Sequence, residues 1–225
     1  WKETLEAVTV IGEGAGLTHL SCYSLIVEEG TVYGSMLEKG TLEPVDDELD
    51  RKMYRYAISY LAGKGYRHYE ISNFAKPGYE CRHNLQYWKA LEYAGFGAGA
   101  HSYLNGKRFN NVYGIEEYIE AVKAFAINGT ENKLHQEISA IDRREAMSEY
   151  MILGLRLISG VTSEEFETRF GEKLNMVYGE QLEKLLKEGL LEASGNKENT
   201  SVPCERYYLT DLGLDFANKV FREFL

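Results

Sequence analysis

Cysteine is scarce in this chain: Cys22, Cys81 and Cys204 are the whole complement. An odd, widely spaced set excludes a disulfide framework and suits a reducing cytosol. No apolar run approaches the roughly 18 residues that a membrane-crossing helix needs, and no secretory signal opens the chain. We therefore expect a soluble, cytoplasmic protein without stable membrane insertion. Basic residues are the minority, 25 Lys plus Arg against 35 Asp plus Glu. The formal net charge of -10 excludes adhesion to nucleic acid or anionic lipid through charge alone. An initiator methionine is missing as well. Trp1 opens directly into a helical pattern, with Trp1, Leu5 and Val8 on one stripe, so the sequence reads as an excised piece of a longer chain.

What is present is enough for a core. With 225 residues, 44% of them apolar, the chain fits one large or two small domains. Tyrosine is the unusual residue: 17 copies, concentrated between Tyr54 and Tyr118. Rings with a polar tip suit half-buried surfaces around a pocket, and they suit ordinary amphipathic packing equally.

Periodicity organises the chain. The first helix is expected to end near Ile11, before the glycines of GEGAG (12–16). HLSCYSLIV (19–27) is apolar on both faces, as a buried parallel strand reads. A long loop with turns at Gly30, Gly34 and Gly40 should follow, then a helix capped by Asp46 or Asp47 with Leu49, Met53, Ala57 and Leu61 on one face. Residues 66–72 form a second short strand, which completes a βαβ unit. Two or three strands cannot close a barrel, so this half is incomplete or leans on another domain. Ile115–Ile127 is an amphipathic helix closed by Asn128-Gly129, and 129–140 a polar joint. Beyond it lie a helix over 142–158, a capping box at TSEE (162–165), a helix over 175–188, two strands at 190–194 and 206–209 across a polar turn at 195–200, and a last helix capped by Thr210. The expected fold class is an α/β partial (β/α) barrel remnant over 1–105, a connecting helix and linker over 106–139, and a mainly helical, winged-helix-like domain over 140–225. A winged helix invites a DNA reading, but residues 139–225 hold 11 Lys plus Arg against 16 Asp plus Glu. Base readout needs a basic footprint, so a packing module or lid fits better than nucleic-acid binding.

Chemistry-bearing side chains crowd into ECRHNLQYW (80–88) and GFGAGAHS (95–102). GFGAGA matches a loose dinucleotide fingerprint, but a helical period precedes it and no helix follows, so that reading fails. Backbone without side chains lets a flat ligand approach, and it serves tight packing equally. His83 suits a metal or haem iron as neutral imidazole. Zinc would need four ligands at sensible spacing, which Cys81 and His83 do not supply. If this stretch is helical, Tyr87 lies one turn beyond His83 and Trp88 flanks it, with Arg82 or Arg108 available for ligand carboxylates. On the residues alone, an aromatic corner of the core and a ligand site both stand. Glu70 and Asn73 in YEISNF sit at the C-terminal end of a predicted strand, where α/β folds place their sites.

HLSCYSLIVEEGT (19–31), YEISNFA (69–75), ECRHNLQYW (80–88), GFGAGAHSY (95–103) and YLTDLG (208–213) together resemble the C-terminal two-thirds of the HemW branch of the radical S-adenosylmethionine superfamily. That branch comprises the haem-chaperone relatives of the oxygen-independent coproporphyrinogen III oxidases. The resemblance implies a haem chaperone that delivers haem to a haem-dependent acceptor protein. It also implies S-adenosyl-L-methionine and a 4Fe–4S cluster in the full-length protein. His83, Asn84, Tyr87 and Trp88 would be the haem signature HNxxYW, with His83 on the haem iron. Phe96, Gly97 and Ala98 would line the S-adenosylmethionine side of the barrel. The alternative is the oxidase branch, which decarboxylates coproporphyrinogen III to protoporphyrinogen IX; ISNFA (71–75) favours the chaperone over the oxidase's MDHFA-like segment. The family's CxxxCxxC and GGTP-type segments are missing, so this chain should carry no cluster-ligating cysteines, no catalytic residues and no radical chemistry of its own. A homodimer that buries the open barrel edge is the alternative to a monomer.

Overall fold

Helix α1, Lys2–Ala15, runs four residues past the expected stop and ends at Gly16, which takes the left-handed conformation (φ 70°) and donates its N–H to Gly12 O. Gly12 is a packing position: a Cβ there would lie 2.7 Å from Leu17 Cδ2. Its neighbour Thr9 is buried and its hydroxyl is 2.8 Å from Tyr60 Oη. The computed structural model describes residues 1–128, 133–195 and 206–225. Most of the polar turn at 195–200, the start of the joint at 129–132 and Cys204 lie outside them.

The chain divides into two compact units, Trp1–Cys81 and Arg82–Leu225. In the first, β1 is only His19–Ser21 and pairs antiparallel with β3, Asn73–Ala75. This corrects the nine-residue parallel strand expected at 19–27: β3 offers three residues of ladder, and past it Tyr23, Leu25 and Ile26 are exposed. The expected loop contains α2, Val32–Glu38, whose N-cap Thr31 accepts from Gly34 N. Helix α3, Asp47–Gly63, starts where its cap was read, with Asp46 accepting from Leu49 N. Strand β2, Arg67–Glu70, also pairs antiparallel with β3, giving the order β1-β3-β2. β1 and β2 therefore run in the same direction, as a βαβ unit requires, with β3 inserted between them. Leu5, Ala57, Leu61, Tyr66 and Phe74 form the core of this unit.

The second unit opens with α4, Arg82–Trp88. Strands β4 (His101–Leu104) and β5 (Lys107–Asn111) make a hairpin, followed by α5, Ile115–Asn128. Strand β6, His135–Ala140, then pairs with β5, so the second half of the expected polar joint is sheet. Helix α6, Arg143–Gly154, leads to β7 (Val161–Thr162), α7 (Ser163–Phe170) and α8 (Leu174–Lys187). Strands β8 (Leu191–Ser194) and β9 (Arg206–Leu209) complete a sheet of order β7-β9-β8. The last helix is two pieces, α9 (Asp211–Asp215) and α10 (Ala217–Arg222), because Phe216 leaves the helical region (φ -117°, ψ 30°). Thr210 caps the first piece, as its position predicts. The TSEE box forms in half: Thr162 Oγ1 accepts from Glu165 N, but Thr162 N donates to Tyr150 Oη. Met151, Leu155, Phe166, Leu185 and Val220 are fully buried.

Among the described residues the strands form three three-stranded sheets and no closed barrel. None of the described helices is long and apolar enough to cross a membrane.

Candidate functional site

Helix α4 carries the HNxxYW stretch, and its seven residues include none that is buried. One helical turn brings His83 and Tyr87 together, ring centroids 4.9 Å apart and planes at 88°. Tyr87 in turn stands edge-on to Tyr93 at 4.7 Å. Tyr93 is fixed by two backbone bonds of 2.9 Å to Tyr103 in β4. The His83 side chain is exposed, and neither ring nitrogen has a hydrogen-bond partner among the described residues. An imidazole with both nitrogens open and a ring behind it can take a metal on one face of the helix. Asn84 is half-buried beside it.

Trp88 does not join this pair. Five residues on from His83 it points elsewhere, beneath the guanidinium of Arg156, whose Cζ is 4.4 Å from the ring centroid. Arg156 also lies 5.9 Å from the Phe221 ring. The buried Nε1 of Trp88 and Nε of Arg156 have no acceptor among the described residues, so the contact is one of ring face and cation. Past α4, Ala90 adopts a left-handed backbone (φ 47°). There the carbonyls of Lys89 and Ala90 accept both arms of the Arg169 guanidinium, at 2.9 and 2.7 Å. Arg108, offered by the sequence as a partner for ligand carboxylates, is instead engaged in a two-armed pair with Glu149 of α6, one arm at 2.8 Å.

The glycine loop is shaped by its own polar groups. Gly95 N donates to Ser102 Oγ, Gly97 N to Tyr118 Oη, and Asn111 Nδ2 donates to the carbonyls of Gly95 and Gly97. A Cβ on Gly95 would sit 2.2 Å from His101 O, so close backbone packing accounts for this glycine. With those peptide groups committed, the loop presents Phe96, 88% exposed, between Gly95 and the half-buried Gly97 and Ala98.

In the first unit, Glu70 and Asn73 are completely buried. Glu70 Oε1 accepts from Asn73 Nδ2 and from Ser72 N, and Ser21 Oγ donates to Asn73 Oδ1. His19 Nε2 meets Tyr69 Oη at 2.9 Å, and His68 Nε2 meets Tyr54 Oη at 3.1 Å. Burial pushes both imidazoles below the ordinary histidine range. A histidine that protonates less readily folded than unfolded favours the folded state above the unfolded value, near 6.5. That contribution is lost as pH falls below it. The first unit is therefore expected to melt at progressively lower temperature from pH 7.5 to 5.5, and His68→Gln to flatten the dependence. An unchanged slope in that variant would assign the effect to other groups.

Cluster chemistry finds no support here. Burial raises the Cys22 thiol above its usual range, and among the described residues no three His, Cys, Asp or Glu side chains converge as metal ligands. The described residues therefore do not fit an iron–sulfur cluster. The sequence placed His83 and Tyr87 one helical turn apart, as they stand in α4, but gave no sign of Arg156, Arg169 or Glu149. These stand dozens of residues away, and nothing in their local spacing marks them.

The family model described as the HemN C-terminal domain matches residues 141–197. Over 209 residues the chain is 37% identical to the protein named heme chaperone HemW of Lactococcus lactis, covering 93% of this chain and 51% of that one. It is 38% identical to heme chaperone HemW of Bacillus subtilis, with 92% and 51% covered. The mitochondrial radical S-adenosyl methionine domain-containing protein 1 of Mus musculus is 32% identical over 77% of this chain and 40% of its own length. Among solved structures, coproporphyrinogen III oxidase (HemN) from Escherichia coli, described as a radical SAM enzyme, superposes with a TM-score of 0.63 at 16% identity. That match covers 95% of this chain and 50% of HemN, and at this identity it establishes the fold alone. The chain spans about half the length of the first two relatives, less than the two-thirds its motifs suggested.

Proposed function

The chain belongs to the HemW/HemN-like family, and we propose that the protein to which it corresponds binds haem at helix α4 and passes it to a haem-dependent acceptor protein. The observation that carries this reading is His83: exposed, unengaged at both nitrogens, and backed edge-on by Tyr87 at 4.9 Å. Four bacterial relatives named heme chaperone HemW support it. In this proposal His83 ligates the iron, Tyr87 packs the porphyrin, Asn84 borders it, and Trp88 anchors the helix. A bound haem would supply the iron and the flat ring; the chain contributes an open imidazole and an aromatic wall. Phe96 would offer its ring at the S-adenosylmethionine side, with Gly97 and Ala98 holding the loop. A 4Fe–4S cluster belongs, in this proposal, to the full-length protein and not to the residues present here. We read 140–225 as winged-helix-like on the strength of α6–α8 and the β8–β9 hairpin.

The test is a haem titration followed in the Soret band. His83→Ala is expected to weaken binding at least about tenfold, on the order of 1.4 kcal/mol, and to displace the band. A variant with the wild-type spectrum and affinity would show that the iron ligand is elsewhere. The likeness to HemN favours a second reading, oxidative decarboxylation of coproporphyrinogen III. Protoporphyrinogen formation by the full-length protein with reconstituted cluster would support it.

A further inference from the structure

We propose that Arg169, assisted by Arg156, is the positioning residue for helix α4, so that the HemN C-terminal domain sets the orientation of His83 and Tyr87. The inference rests on the haem reading above.

Helix α4 cannot stand alone. Helices shorter than roughly 12 residues are marginal in water, and α4 has seven residues, none buried. Its form must therefore come from tertiary contacts, and two arginines supply them at the end opposite His83. The last carbonyls of α4 itself, those of Leu85, Gln86 and Tyr87, are met by the N–H groups of Lys89, Leu91 and Ala90. The turn that this closes leaves the next two carbonyls of the chain for a tertiary partner. Arg169 of α7 places its two terminal N–H groups on the carbonyls of Lys89 and Ala90, which fixes both position and rotation of that end. The guanidinium is itself seated over the Tyr150 ring at 5.6 Å. Arg156 covers the Trp88 ring from the segment between α6 and β7. Both arginines lie within residues 141–197. His83 and Tyr87 project from the same short rod, so a tilt or unwinding at Lys89–Ala90 moves the imidazole relative to its aromatic wall. A lysine could not replace Arg169, because an ammonium is a single charge without the planar fork.

The experiment joins amide hydrogen exchange to the haem titration. Arg169→Gln is expected to speed exchange of the 82–91 amides about tenfold while α7 and α8 keep wild-type protection. The same variant is expected to lower haem affinity about tenfold and displace the Soret band, and Arg169→Lys to rescue neither readout. Arg156→Met, which keeps an aliphatic cover on Trp88 and removes the cation, is expected to act in the same direction more weakly. It carries the test should Arg169→Gln unfold the domain. Unchanged exchange over 82–91 overturns the proposal. So does faster exchange with an unaltered Soret band and affinity, since α4 would then be held for stability alone. His83→Ala measured alongside separates the failures. If it is silent while both arginine variants are not, the ligand assignment is wrong and the positioning of α4 stands.

Discussion

Phe166→Ala is expected to lower the unfolding free energy of the second unit by about 3–5 kcal/mol, the usual cost of deleting a fully buried aromatic ring. Phe166 has no exposed surface. Its ring lies 4.8 Å from Phe170, 5.6 Å from Tyr150 and 6.1 Å from Tyr178, and Tyr178 continues the chain of rings to Phe224 at 5.3 Å. Removing the central ring leaves a cavity whose walls are held by other bonds. Tyr150 donates to Thr162 O at 3.1 Å, and burial pushes its phenol up to about 12, so it remains a donor and cannot swing inward freely. Phe166→Leu, which keeps most of the volume, is expected to cost less than about 1.5 kcal/mol. Urea unfolding read at constant slope measures both. A loss below about 1 kcal/mol for the alanine variant would mean that the rings around it repack. Arg169 is carried on the same helix as Phe166, so a destabilised α7 should also loosen α4.

The second large effect is expected at Asn73→Ala in the first unit. Asn73 ties three strands with one side chain: it accepts from Ser21 of β1 and donates to Glu70 of β2, both in register across the ladder. Glu70 is completely buried, so truncation removes an amide donor from a carboxyl group that water cannot reach. An unsatisfied buried polar group costs about 1–3 kcal/mol, and the change affects both partners of the amide. We expect a total near 3 kcal/mol. Asn73→Asp should fall as far at neutral pH, because two carboxyl groups then face each other. Relative to wild type it should recover partly near pH 5, where a shared proton restores a donor. A fully stable Asn73→Ala variant would mean that this network contributes shape without holding the sheet together.

The periodic elements were legible from the chain alone. Asp46 capping α3, Thr162 opening α7, Thr210 opening α9 and the spacing of His83 to Tyr87 all follow from neighbours three or four residues apart. Amphipathicity was a weaker guide. Ile115–Ile127 was read as an amphipathic helix, and α5 forms there, yet Ile115, Ile119 and Phe125 on its apolar stripe remain 66%, 45% and 39% exposed. Strands of three residues carry no readable period, which is why β3 was missed and β1 was drawn too long. Part of the glycine pattern misled: Gly12 was taken as a stop where its missing side chain makes room for Leu17.

Composition and local spacing determined, without coordinates, the acidic charge balance, the starts of α3, α7 and α9, and the presence of an imidazole one turn from a tyrosine. They could do so because charge, capping and helical pitch act between residues close in sequence. Tertiary structure alone decided that Trp88 turns away from His83 to lie under Arg156, that Glu149 claims Arg108, and that Arg169 grips the end of α4 from 80 residues away. Those pairings depend on which distant side chains reach the same place when the core closes, and packing of the whole unit selects them.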